Sequence, residues 1–248
     1  MRIITAILLM FSCLSCAAGP KDYKVRVLES YPHDVSAYTQ GLFFHLDTLY
    51  ETTGQYGESS LRKVDLSSGE VLRRVNFSRK YFAEGSCILD GKLYILTWTN
   101  KVAFVYNPST FEYGGTWSYP REGWGLTTDG SLLYASDGSD RIYVLTSDFK
   151  LLRTIFVRLD GRPVRMLNEL EWMDGKILAN IYTTDVIVQI DPSDGKVTAR
   201  IDCTGLLPDS LRKPDTDVLN GIAVNSKGEI FLTGKYWPRI YKVELKKK

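Results

Sequence analysis

The stretch LDGKLYILTW (residues 89–98) joins an Asp-Gly turn to a β-like run of six or seven residues. Asp-Gly tolerates the positive φ angles that a tight hairpin requires, so the phrase reads as a turn leading into a strand. It returns as LDTLYETTG (46–54), TDGSLLYASDG (128–138), MDGKILANIY (173–182) and SKGEIFLTGKYW (226–237). The turn residues Asp47, Asp90, Asp129, Asp174 and Lys227 are spaced by 43, 39, 45 and 53 residues. A period of about 40–45 residues with several antiparallel strands in each unit predicts a β-propeller. Five units predict an all-β fold of five blades.

The rest of the chain fits that rhythm. A second strand follows each phrase (SSLRKVDL, KVAFVYNP, DRIYVLTS, DVIVQIDP, RIYKVELK). A third follows the first four (SGEVLRRVNF, TFEYGGTWSY, DFKLLRTIFV, DGKVTARIDC). Ahead of each lies a short apolar strand suited to a crowded centre: TQGLFFH, AEGSCIL, GWGLTT, LNELEWM and LNGIAVN. The fifth unit lacks its last strand. Residues 22–33, DYKVRVLESYPH, are placed to supply it, closing the ring by pairing the N-terminal strand with the last blade. Residues 203–219 break the rhythm and predict a long loop with a short helix before blade five.

Lys and Arg number 31 against 29 Asp and Glu, a balance that predicts no nucleic-acid partner. The apolar run Ile3 to Phe11 is too short to span a bilayer and reads as the core of a signal peptide. Residues 1–15 are expected to be a lipoprotein-type leader, cleaved before a lipid-bearing Cys16. Cys13 is a second candidate anchor, and ordinary secretion is the alternative. The expected location is the bacterial cell envelope, lipid-anchored, with residues 16–248 forming one domain, expected as a monomer. Cys87 and Cys203 could pair in an oxidising compartment, although Cys87 sits in an apolar strand and reads as a small core residue. With two His and no CxxC pair, no metal site and no cofactor is expected.

Ligands of such a fold meet the channel mouth, where the innermost strands begin. Gln40, Glu84, Trp124, Asn168 and Asn220 stand at those starts, most beside a glycine expected to let a ligand approach the backbone. The set offers one carboxylate, several amides and aromatic walls. It has no Ser-His pair and no paired acids, so a serine hydrolase and a two-acid glycosidase lack support. Lys235, between Gly234 and Tyr236-Trp237, sits where a cation wants a partner or a ligand. Each residue also has a bland reading, as a turn amide or a core cap, but five at one place in a repeat argue for a site.

These motifs, YTQGL, YFAEG, LTWTNKVAFVY, REGWGLTTDG, LNELEW, ANIYTTD, DVLNGIAVN and FLTGKYWPRIYKVEL among them, closely resemble the glutamine cyclotransferase family of plants and bacteria across residues 31–245. The resemblance implies a metal-independent glutaminyl-peptide cyclotransferase acting on peptides or proteins with N-terminal glutamine, releasing ammonia and leaving pyroglutamate. Carried over by position, it implies Glu84 as the essential carboxylate and Gln40, Asn168 and Lys235 as its polar company. Tyr38, Phe82, Trp98 and Trp124 are implied as substrate-binding aromatics. Tyr182 departs from the family, standing where plant members carry a Trp, which bears on substrate preference and rate more than on reaction type. A rival reading remains a non-enzymatic envelope propeller that binds peptide or glycan at the channel mouth. A metal-dependent lyase or lactonase lacks its ligands.

Overall fold

The computed structural model describes residues 19–248. The expected leader, Cys13 and Cys16 lie outside them. The described chain is all-β, with 22 strands, no α-helix and a single 3-10 turn at Asp209–Leu211, inside the expected loop.

Turn chemistry sets the strand order. Leu46-Asp47, Asp90-Gly91 and Asp174-Gly175 all have both φ angles positive, between 49° and 73°, the pattern of a two-residue hairpin whose twist matches its strands. The next turn of several units is closed by an Asp or Asn side chain. Asp65 accepts from the Ser68 N–H at 2.8 Å, Asn107 from Ser109 at 2.9 Å and Asp191 from Ser193 at 2.9 Å.

Strand β1 (Lys21–Pro32) is followed by a four-stranded antiparallel sheet, β2 (Thr39–His45), β3 (Thr48–Thr53), β4 (Ser60–Val64) and β5 (Val71–Asn76). A second such sheet is β6 (Ala83–Leu89), β7 (Lys92–Thr97), β8 (Val102–Tyr106) and β9 (Tyr113–Ser118). The third is β10 (Leu126–Thr128), β11 (Leu133–Ser136), β12 (Arg141–Leu145) and β13 (Leu151–Phe156), trailed by a small hairpin of β14 (Arg158–Leu159) and β15 (Arg162–Pro163). The fourth unit is β16 (Leu167–Met173), β17 (Lys176–Ile181), β18 (Val186–Ile190) and β19 (Val197–Asp202). The fifth is β20 (Leu219–Val224), β21 (Ile230–Gly234) and β22 (Arg239–Lys247).

As expected, β1 completes the fifth unit, running antiparallel to β22 from Tyr23↔Lys247 to Pro32↔Arg239. Its first residues also lie parallel to β19, Lys21↔Ala199 to Lys24↔Asp202, a contact with no signal in the repeat. That seam fuses units four and five into one eight-stranded sheet.

Adjacent units share buried apolar clusters because alternate residues of each strand face opposite neighbours. Leu93, Ile95 and Phe104 pack on Phe43 and Leu61 of the first sheet, while Tyr94 and Val105 pack on Leu133 and Tyr143 of the third. Units three and four share Ile142, Val144, Ile177 and Val188, and units four and five share Leu178, Ile187, Ile222 and Leu232. Units five and one share Phe231, Ile240, Leu42 and Leu49, so the packing returns to its start. Cys87 and Cys203 are free buried thiols in separate clusters.

The first strands touch in the same cycle: β2 with β6, β6 with β10, β10 with β16, β16 with β20, and β20 with β2. Crowding there corrects the expectation for the glycines. A Cβ on Gly85 would sit 2.4 Å from the Leu126 nitrogen, and one on Gly125 would sit 2.1 Å from the Asn168 carbonyl oxygen. These glycines admit the neighbouring strand, not a ligand. Across the centre, buried Glu169 accepts from the Ile222 N–H at 2.9 Å and the Leu42 N–H at 3.4 Å, tying three units together.

Candidate functional site

At the end where the first strands begin, the described surface holds a cavity of about 280 Å³. Its floor comes from the centre of the fold. Gln40 is the second residue of β2, Glu84 of β6 and Asn168 of β16, so the same register in three units aims three polar side chains at one point. Its walls are aromatic. Tyr38 comes from the loop before β2, Phe82 from the residue before β6, Trp98 from the end of β7, Trp124 from the segment before β10 and Tyr182 from the end of β17. Lys235 follows β21 and completes the set. Nine of the ten residues singled out in the sequence line this one space, Asn220 being the exception.

The rings meet edge to face: Tyr38–Phe82 at 6.0 Å, Phe82–Trp98 at 5.5 Å and Trp124–Tyr182 at 5.7 Å between centroids. The Tyr38 loop is underpinned by a buried network. His33 contacts the Trp237 carbonyl at 2.7 Å and Glu51 at 3.0 Å, and Thr39 donates to Glu51 at 2.7 Å. The same Glu51 lies 3.7 Å from the Arg62 guanidinium. Facing His33 and Arg62, its carboxyl is held below the usual range despite burial, and His33 is raised.

Glu84 is 4% exposed and Lys235 2%. Burial drives Glu84 well above the ordinary carboxylate range, with Glu122 adding to the rise and Lys235 and Gln40 opposing it. Burial likewise pulls the Lys235 ammonium down to about 8, against the attraction of Glu84 and Asp217. Lys235 Nζ lies over two rings, 4.5 Å from the centroid of Tyr38 and 4.6 Å from that of Tyr182. The result is a carboxyl and an amine of opposite charge type, both desolvated and both with the ionised form disfavoured by burial. Such a pair can take up and return a proton.

Asn220 departs from expectation. It is fully buried and stays out of the cavity, donating through Nδ2 to the Thr39 carbonyl at 2.9 Å and to Gln40 Oε1 at 3.1 Å. With its oxygen thus occupied, Gln40 offers its NH2 toward Glu84. The Asn168 side-chain oxygen is buried without a hydrogen-bond partner, an acceptor left open at the cavity floor.

Two residues escape the sequence reading. Gln55 lines the cavity from the loop after β3, at φ 85°. Its signal is a non-glycine residue between Gly54 and Gly57 in a stretch that must turn sharply. Glu122, exposed on the connection between β9 and β10, accepts from both tryptophans: Trp98 Nε1 at 3.0 Å and Trp124 Nε1 at 3.3 Å. Its only mark in the sequence is a carboxylate two residues before Trp124.

Residues 3–245 match the sequence profile of a family described as glutamine cyclotransferase. A glutaminyl-peptide cyclotransferase of Arabidopsis thaliana is 39% identical over 231 residues, which is 90% of this chain and 72% of that protein. The crystal structure of the glutaminyl cyclase of Myxococcus xanthus superposes with a TM-score of 0.86 at 36% identity, covering 92% of this chain and 99% of that one. A WD40 beta propeller domain superposes at TM-score 0.51 and 11% identity, covering 92% and 94% of the two chains, a likeness of fold alone.

Proposed function

The chain belongs to the glutamine cyclotransferase family, and from that premise we propose how its cavity closes an N-terminal glutamine into pyroglutamate. Within this reading the cyclic run of sheet contacts and shared cores is a five-bladed β-propeller, and the cavity is the mouth of its channel. The WD40 likeness supports that architecture.

The reaction joins the substrate's own α-nitrogen to its own side-chain carbonyl carbon and breaks the bond from that carbon to the amide nitrogen, which leaves as ammonia. No covalent bond to the protein is needed. The first task is to fold a flexible side chain back on itself, and the walls from Phe82, Trp98, Trp124 and Tyr182 do this while excluding water. The second is to move one proton. The attacking nitrogen must lose it and the leaving nitrogen must gain it. Glu84 takes the proton from the one and delivers it to the other, and desolvation supports this role by raising its proton affinity toward that of an amine. The third is to meet the negative charge that builds on the carbonyl oxygen. Lys235, a desolvated cation braced by two rings, supplies it, with the Gln40 amide beside Glu84. The unpartnered Asn168 oxygen accepts an N–H of the bound glutamine.

The observation that carries the reading is the burial of Glu84 opposite Lys235 inside an aromatic enclosure. The test is ammonia release from a short glutaminyl peptide by wild type and Glu84→Gln, each with and without EDTA. Wild type should turn over regardless of chelator. Glu84→Gln should lose about a hundred- to ten-thousandfold in kcat with unchanged circular dichroism. Equal rates in the two proteins would remove Glu84 from the chemistry. The leader pattern further supports export and a lipid on Cys16, which mass spectrometry of the membrane fraction tests directly.

A further inference from the structure

We propose that Glu122 is a positioning residue that sets the width of the glutamine slot by holding two of its walls with one oxygen. The kinetic part of this inference rests on the cyclisation reading.

Trp98 and Trp124 come from different units, at the end of β7 and ahead of β10. Each has an aromatic edge on one side, Phe82 at 5.5 Å from Trp98 and Tyr182 at 5.7 Å from Trp124. Both indoles are only partly buried, so packing alone leaves them room to swing. Their N–H groups converge on the same atom, Glu122 Oε2, at 3.0 and 3.3 Å. One acceptor shared by two donors fixes the separation of the rings across the unit boundary.

Glu122 is itself exposed and contributes nothing to the apolar clusters. A substitution there disturbs the slot without opening the core, which makes the role separable from stability. Glutamine keeps an acceptor oxygen at the same reach and discards the charge. Alanine discards both.

The experiment measures ammonia release from a glutaminyl peptide and intrinsic tryptophan emission of the free enzyme for wild type, Glu122→Ala and Glu122→Gln, with thermal melts alongside. Two of the chain's five tryptophans report on the clamp. Alanine should raise KM about three- to tenfold, lower kcat by less, and shift the emission. Glutamine should restore KM and emission close to wild type, and all three proteins should melt together. Alanine matching wild type in both KM and emission overturns the proposal. Glutamine as impaired as alanine also overturns it, since charge and not the shared acceptor would then be responsible. If wild type cyclises no glutaminyl peptide, the cyclisation reading fails on its own, and the emission comparison still decides whether Glu122 holds the rings.

Discussion

Replacing Lys235 by methionine should make the protein more stable and nearly inactive. Lys235 is 2% exposed, and burial draws its ammonium from an ordinary 10.5 to about 8. That depression corresponds to about 3 kcal/mol of disfavoured charge in the folded state at neutral pH. The faces of Tyr38 and Tyr182, 4.5 and 4.6 Å from the nitrogen, return part of it, roughly 1–2 kcal/mol. Methionine fills a similar volume without a charge, so a net gain of about 1–2 kcal/mol is expected below pH 8, or about 2–8 °C in Tm for a chain of this length. The sign follows from the depressed pKa. The folded protein binds the proton less tightly than the unfolded chain, so wild-type stability recovers as pH rises from about 8 through 10.5, and the advantage of the variant shrinks over that window. Melts at pH 7 and pH 10 measure it. Turnover should fall about a hundred- to a thousandfold, the scale for losing one donor to a developing oxyanion. A variant that melts below wild type at pH 7, or whose advantage is the same at both pH values, would refute the reasoning about buried charge. A variant with wild-type kcat would refute the role in chemistry.

The remaining expectations concern the centre of the fold. Glu171, 8% exposed, has its carboxyl raised from 4.5 to about 8 by burial, so its stabilising share is present below pH 4.5 and lost as pH rises through 8. Glu171→Gln should therefore melt with wild type at pH 5 and above it at pH 9, by at most about 4–5 kcal/mol, as denaturant titrations at the two pH values would read. Gly125→Ala drives a methyl into the Asn168 carbonyl, 2.1 Å away. It should cost roughly 3 kcal/mol or more and impair turnover through Asn168, seen as a lowered urea midpoint together with reduced ammonia release.

Legibility in the sequence followed the range of the interaction. Hairpins such as Asp90-Gly91 and Asp174-Gly175 were readable because their chemistry is local, and the recurring phrase then ordered the strands. The shortfall in the fifth unit pointed to β1 because a missing edge strand is a countable absence. Its parallel contact with β19 was not readable, since it depends on how two units lie against each other. Within the site, residues at strand starts could be aligned by register, which is why Gln40, Glu84 and Asn168 were found together. Asn220 shares that register yet turns inward, because Gln40 and the Thr39 carbonyl offer its amide partners that no spacing announces. The same glycines that suggested a ligand-facing backbone are set by interstrand distance at the centre, a three-dimensional quantity. Glu122 shows the limit most plainly, as its role rests on two indoles from separate units meeting at one oxygen.

The course of β1 also decides where a pull on the chain ahead of it would reach the fold. Its first residues lie beside the end of β22, and its last lie beside the start of β22, where His33 N–H reaches the Pro238 carbonyl at 3.0 Å, close to the Lys235 turn. Twelve extended residues span roughly 40 Å, so the two ends of β1 lie far apart, the last residues beside the start of β22 and the first against both β22 and β19. A hold on the chain upstream of Lys21 would pull first on the seam where β1 joins β19 and β22, the same seam that ties units four and five into one sheet.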